Sequence, residues 1–306
     1  MTTLIARRLA QLVPTVLLLS IIIFSLQHLL PGDPALVLAG ENPDEATLAA
    51  IRAQYHLDQP LIVQYLYWLK GVATGDLGES MRHNRPVLDL ILLKLPVTLQ
   101  LAVMGICIAL VVGISAGVIS ALRHNSTIDY ATNIASLAGI SVPNFWLGIM
   151  LILFFSVYLG WLPASGFVSP SEDLKMNLAT TIMPAFVLGT GIAGVIMRHT
   201  RGAMLQALSS DYVRTARAKG LNERTVVLKH AMRNALTPII TLGALEFGAL
   251  LSGAVLTEQI FTIPGFGKLI VDAVFTRDYP VVQGVVLVTS LFYIILNLLA
   301  DTESIL

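Results

Sequence analysis

HTRGAMLQALSSDYVRTARAKGLNERTVVLKHAMRN, residues 199–234, interrupts a chain otherwise made mostly of apolar runs long enough to cross a bilayer. From Arg198 to Arg233 the segment carries eight Lys/Arg against two acids, Asp211 and Glu223. Lys and Arg resist translocation, so a loop this basic between two apolar spans marks the cytoplasmic side. Within it, Asp211 to Lys219 reads as a short helix stopped by Gly220. A helix tethered at both ends to membrane spans has the form of a lever that a soluble motor can push.

Working outward, 55% of the 306 residues are apolar and 12% charged, with a mean hydropathy of +0.77. These values lie far from ordinary globular usage and place the chain in the membrane. The formal net charge of zero hides a segregation of charge by loop. A single cysteine, Cys107, excludes an intrachain disulfide.

A hydrocarbon core about 30 Å thick needs about 20 helical residues. Six stretches meet this: 9–30, 99–122, 134–159, 180–199, 236–257 and 281–300. The fourth is short and glycine-rich (Gly189, Gly191, Gly194), which predicts close packing against its neighbours. Arg7 and Arg8 before the first run resemble the start of a signal peptide. The apolar core is too long for one and no small-x-small site follows, so a retained anchor is expected. With Arg7 and Arg8 inside, an even number of spans puts both termini in the cytoplasm, with Arg123 and the 200–235 loop. Residues 160–180 and 258–280 then fall outside.

Between the first two spans, residues 31–98 hold eight acids against five bases. Two amphipathic pieces there, ATLAAIRAQYHL and LIVQYLYWLKGVA, predict small helices against the membrane surface. This lobe reads as a folded extracytoplasmic cap or as a docking surface for a partner. No internal repeat or Gly/Ser linker divides the chain, which predicts one domain over 1–306.

Enzyme motifs are missing: the sequence has no G-x-x-x-x-G-K-[ST], no H-E-x-x-H, no C-x-x-C and no G-x-S-x-G. The six histidines are dispersed, which argues against a metal site. No catalytic, cofactor or metal residue is assigned, and energy has to come from another chain. One acid, Glu246, falls in mid-span, where a charge costs about 2.5–3.5 kcal/mol on insertion scales. A place on a translocation path and a structural hydrogen bond both fit it. Pro143 and Asn144, in SVPNFWLG, predict a kink in the third span.

A series of short motifs runs through the whole chain. They are LLPGDP ending at Pro34, LDQP (57–60), GDLG (75–78), LPVTL (95–99), SVPNFWLG (141–148), DYVRTARAKG (211–220), HAMRNALTP (230–238), EQIFTIPGFGKL (258–269) and RDYPVVQG (277–284). In this order they resemble the dipeptide/oligopeptide ABC-transporter permease family. The resemblance implies an all-α integral membrane protein with the type I importer permease fold: six transmembrane helices and a small extracytoplasmic helical lobe after the first. It implies a multi-pass protein of the bacterial inner membrane. A second permease subunit forms a heterodimer with it, one or two cytoplasmic ATPase subunits drive it, and an extracytoplasmic solute-binding protein delivers substrate. Membrane lipid surrounds it, and nucleic acid is not a partner.

The same resemblance makes Asp211, Tyr212, Arg214, Thr215, Ala216, Arg217, Ala218, Lys219 and Gly220 the ATPase-coupling segment. The general importer pattern E-A-A-x-x-x-G reads here Arg214, Thr215, Ala216 and then Gly220, without the leading acid. Small Ala216 and Ala218 are expected to seat the helix in a groove of the ATPase, and Arg214, Arg217 and Lys219 to pair with acids there. Glu246 and Asn144 are the path candidates. The family covers dipeptides, longer peptides, glutathione and nickel chelates, among which the sequence does not choose. It usually continues past the last span in a basic tail, whereas TESIL follows Asp301 here, so a shortened product is one expectation. An ion-coupled secondary transporter needs paired broken helices or coupled charges, and a non-transport scaffold needs no lever at all. These are the two alternatives.

Overall fold

The computed structural model describes residues 14–25, 34–39, 44–54 and 56–303, and they are almost entirely helical. The helices are α1 (Pro14–Ser25), α2 (Pro34–Ala39), α3 (Glu45–Gln54), α4 (Leu61–Thr74) and α5 (Val87–Leu122). They continue with α6 (Thr127–Ser141), α7 (Asn144–Leu151, prolonged by a π-helical stretch, Ile152–Tyr158), α8 (Leu174–Leu208) and α9 (Asp211–Ala218). Last come α10 (Glu223–Thr225, leading through a π-helical Val226–Ala231 into α11, Met232–Ile260), α12 (Phe266–Thr276) and α13 (Tyr279–Glu303). Residues 9–13 and 26–30 of the first expected span, and LLPGDP up to Asp33, lie outside the described residues.

Chain contacts divide the protein into two units, one of residues up to Pro96 with Gly265–Leu298, the other mainly Val97–Pro264. In the first, Asp44 caps α3 by accepting from the Thr47 N–H at 3.0 Å. Hydrogen bonding from Thr47 holds the Asp44 carboxyl below the usual carboxylate range. The helix α4 lies on α1 through Ser20 and Tyr65, whose hydroxyls meet at 2.8 Å, and through the Phe24 ring, 5.5 Å from Tyr65 and 5.9 Å from Trp68. A core of Val87, Ile91, Phe266, Leu269, Val281 and Val285 joins the start of α5 to α12 and α13. Where α12 turns into α13, the buried Asp278 carboxylate accepts from the Ser80 hydroxyl (2.5 Å) and from the Met81 and Arg82 N–H groups (3.1 and 3.2 Å). One side chain thus pins the 79–82 turn.

In the second unit, α8 packs against α6 and α11. The glycines explain how closely. A Cβ on Gly113 or Gly117 of α5 would stand 2.8 Å from the Ala193 carbonyl oxygen and 2.7 Å from that of Met197. One on Gly189 would stand 2.6 Å from the Gly105 oxygen, and one on Gly194 2.7 Å from that of Ser136. These backbones approach as only glycine permits. Gly191, expected to share this role, has room, with its nearest neighbour at 3.7 Å.

Helices α5 and α8, of 36 and 35 residues, are each long and apolar enough to cross a membrane. Two further pairs reach that length only if a bend is allowed: Thr127–Ser141 with Asn144–Tyr158, at 100°, and Glu223–Leu250 with Ala254–Ile260, at 51°. The kink expected at Pro143 is therefore a break. Val142 is extended (φ −73°, ψ 122°), as the residue before a proline prefers, and Pro143 has no N–H with which to continue the α6 ladder.

Helix ends also differ from the apolar windows. The second helix starts at Val87 rather than 99, α8 runs nine residues past 199, and the fifth helical run begins at Glu223. Polar residues such as Lys94, Arg201 and Gln206 end an apolar window but are good helix formers, so the helices continue through them. Most of the 200–235 loop is consequently helix, and α9 hangs between two short turns.

Candidate functional site

The eight-residue α9 is fixed by two side chains. Val213 (0% exposed) and Ala216 (6% exposed) face inward onto Met204 and Ala207 of α8 and Val226, Val227 and Ala231 of the following π-helical stretch. Ala216 is thus small because it packs beneath its own helix, and of the two alanines expected to fit a partner's groove only Ala218 faces outward. With it on the exposed face are Asp211, Tyr212 (41% exposed), Arg214, Thr215 and Lys219.

Two of the three cations are paired within the chain. Arg214 bonds to Asp211, and Arg217 donates twice to Glu223, at 3.1 and 2.6 Å. All four side chains are well exposed, so solvent screens each pair and it can be exchanged for an acid on a partner. The helix ends in a double closure: Leu221 N–H to Ala216 O (3.4 Å) and Gly220 N–H to Arg217 O (2.9 Å). This requires φ of +75° at Gly220. No atom lies within 4 Å of a Cβ built there, so only backbone strain opposes a substitution. Gly220→Ala should weaken the turn by about 1 kcal/mol, seen as faster amide exchange at Gly220 and Leu221, with Gly220→Asn milder.

Arg201, ten residues before α9, belongs to a cluster that sequence reasoning missed. Asp129, only 2% exposed, accepts from Arg201 Nε at 2.7 Å and Nη2 at 2.8 Å. It also accepts from the Ser120 hydroxyl (2.6 Å), the Asn133 amide (2.9 Å) and the Asn125 N–H (3.0 Å). Arg201 reaches His124 Nδ1 at 3.1 Å as well. One carboxylate therefore ties the end of α5, the first turn of α6 and the last third of α8. The signal was there in Ser126-Thr127-Ile128-Asp129, the S/T-x-x-D spacing of a helix start, and Ser126 does cap α6.

Asn144 and Glu246, far apart in sequence, line one cleft of about 310 Å³. Its other walls are apolar or glycine residues of α6, α8 and α11, Leu188, Ile192 and Leu250 among them. The break at Pro143 makes this possible, because it sets Asn144 as the first residue of α7. Glu258, expected in an outer loop, belongs instead to α11 and is fully buried, where the Thr98 hydroxyl donates to it at 2.5 Å.

Residues 113–302 match the family described as binding-protein-dependent transport system inner membrane component, and residues 1–102 match its N-terminal counterpart. The chain belongs to this family. It is a transport permease of a binding-protein-dependent system. Over 302 residues (98% of this chain, 96% of the relative) it is 42% identical to a protein of Brucella suis biovar 1 (strain 1330) provisionally named a peptide transport system permease protein. Over 297 residues (97% and 94%) it is 42% identical to the glutathione transport system permease protein of Escherichia coli (strain K12). The permease also shares its fold with a chain of an inward-facing methionine ABC transporter, MetNI. The TM-score is 0.54 at 16% identity, over 70% of this chain and 96% of the other.

Proposed function

We propose that this permease is one of two membrane-spanning halves of an ATP-driven peptide importer in the bacterial inner membrane. The six spans are α1, α5, the α6–α7 pair, α8, α11 and α13, in a single domain with both termini in the cytoplasm. The lobe that holds α2, α3 and α4, together with the α12 segment, forms the outer face on which a solute-binding protein docks. A second permease completes the path past Asn144 and Glu246, and separate cytoplasmic ATPase subunits perform the hydrolysis. The peptide substrate class rests on the names of the relatives above, glutathione itself being a peptide.

The observation that carries this reading is α9: an exposed cationic helix, clipped to the core by Val213 and Ala216, at the end of a helix long enough to span the bilayer. Closure of the ATPases on α9 pushes α8, and the α8 that moves is bound to α6 and α5 by close backbone contact and by Asp129. A bistable bundle converts such a push into exchange between inward-open and outward-open paths. Cysteines at Tyr212 or Lys219 in the complete transporter are expected to cross-link to the ATPase subunit and to react only with reagents that reach the cytoplasm. Labelling from outside, or cross-linking to the binding protein instead, would reverse the orientation and end the coupling assignment.

A further inference from the structure

The side chains of the cleft between α6–α7, α8 and α11 carry one sign of charge. Among the described residues lining it, Asn144 and Glu246 are the only polar side chains, and no Lys, Arg or His is present. Glu246 is half-buried, and no described group donates a hydrogen bond to it. A carboxylate set among Leu188, Ile192 and Leu250 without a counter-charge is expensive to keep unless something cationic visits it.

The backbone brings both signs to the cleft, the amino end of α7 at Asn144 and the carbonyl end of α6, and it is the α6 end that offers acceptors. The α6 ladder ends with Val142 N–H donating to Ala138 O at 2.9 Å. Pro143 has no N–H for Gly139, and the 100° break turns Asn144 away from Ile140. Both Gly139 and Ile140 line the cleft, and the Gly139 oxygen lies 3.7 Å from where a Gly191 Cβ would be, on the facing wall. Terminal carbonyls of a helix carry partial negative charge, and paired half-helix ends build ion sites in transporters.

We infer that this cleft is a binding site for the protonated amino terminus of the passing peptide, with Glu246 as its counter-ion and Asn144 Oδ1 and the end of α6 as further acceptors. This rests on the reading of the cleft as part of the path. An ammonium group carries three N–H donors, matching those acceptors, and about 310 Å³, the lower end of ligand-pocket volumes, holds one or two residues of a peptide. Glu246 repels an incoming carboxylate, so the amino end is the part held beside it.

The test uses the complete transporter in proteoliposomes with saturating binding protein and a radiolabelled dipeptide. Glu246→Gln is expected to lower the maximal uptake rate about tenfold, leaving the half-saturating peptide concentration unchanged and most of the ATP hydrolysis stimulated by the binding protein intact. Glu246→Asp restores most of the rate. Equilibrium dialysis against the detergent-purified transporter gives a second readout: glycinamide binds wild type but not Glu246→Gln, and N-acetylglycinamide binds neither. Wild-type uptake by Glu246→Gln, equal binding of the two probes, or displacement of glycinamide by sodium at equal concentration would each overturn the assignment. Failure of the importer reading shows separately, as no ATP-dependent uptake by wild type, and the dialysis then still decides the site.

Discussion

Ala216→Glu is expected to abolish uptake while the protein still reaches the membrane in normal amount. An isolated helix of eight residues has no stability of its own in water, and α9 is held by only two buried side chains, Val213 and Ala216. A glutamate at 216 has to place its carboxylate in the apolar cluster of Met204, Val226 and Ala231. The penalty, several kcal/mol for a buried unpaired charge, exceeds anything the two inward contacts supply, so α9 swings off its seat. The apolar spans are untouched and insertion depends on them alone. Uptake of labelled peptide, membrane abundance and binding-protein-stimulated ATP hydrolysis are to be measured together. Ala216→Ser, small and uncharged at the same buried position, is the control that leaves α9 in place. Normal uptake by a well-expressed Ala216→Glu protein would show that α9 transmits nothing.

The second large effect is at Asp129. Asp129→Leu leaves the Arg201 guanidinium without its two hydrogen bonds to a carboxylate and strips the Ser120 hydroxyl and the Asn125 N–H of their acceptor. Removing one partner of such a pair is far more damaging than replacing both by apolar groups. The melting temperature of the purified transporter should fall by about 5–10 °C in Asp129→Leu, and the double replacement Asp129→Leu/Arg201→Leu should recover much of that loss. Coupling should follow stability, since Arg201 fixes the part of α8 from which α9 hangs. If the single and double variants melt alike, the pair is not what holds the three helices.

Much of this was readable from the residues, for reasons that also explain the failures. The short helix and its glycine stop were legible because capping and left-handed turns depend on neighbours within six residues, and α3 and α4 were legible from their amphipathic spacing. Proline at 143 announced an interruption, but its size depends on what the two halves pack against, which sequence spacing does not encode. Helix ends were misplaced wherever an apolar window stopped before the hydrogen-bond ladder did, as at Arg201 in α8 and Glu223 before α11. The direction of Ala216 was misjudged because smallness suits a foreign groove and a native seat equally well. Asp129 and Arg201 are 72 positions apart, and no local pattern says that two such residues will meet. Asn144 and Glu246 were each picked singly, for helix breaking and for an acid in mid-span. Their common cleft exists only in three dimensions.

The close glycine approaches between α5, α6 and α8 carry a last consequence, for how this protein can change over generations. At Gly113, Gly117, Gly189 and Gly194 a peptide oxygen is among the nearest opposing atoms, and it cannot shrink to accommodate a newcomer as a side chain can. A lineage that gains a methyl group at one of these points has no compensating replacement across the seam. On the roles proposed above for the cleft and for α9, variation is channelled to the cleft walls and the exposed face of that helix, leaving cargo and motor free to change over the same rigid spine.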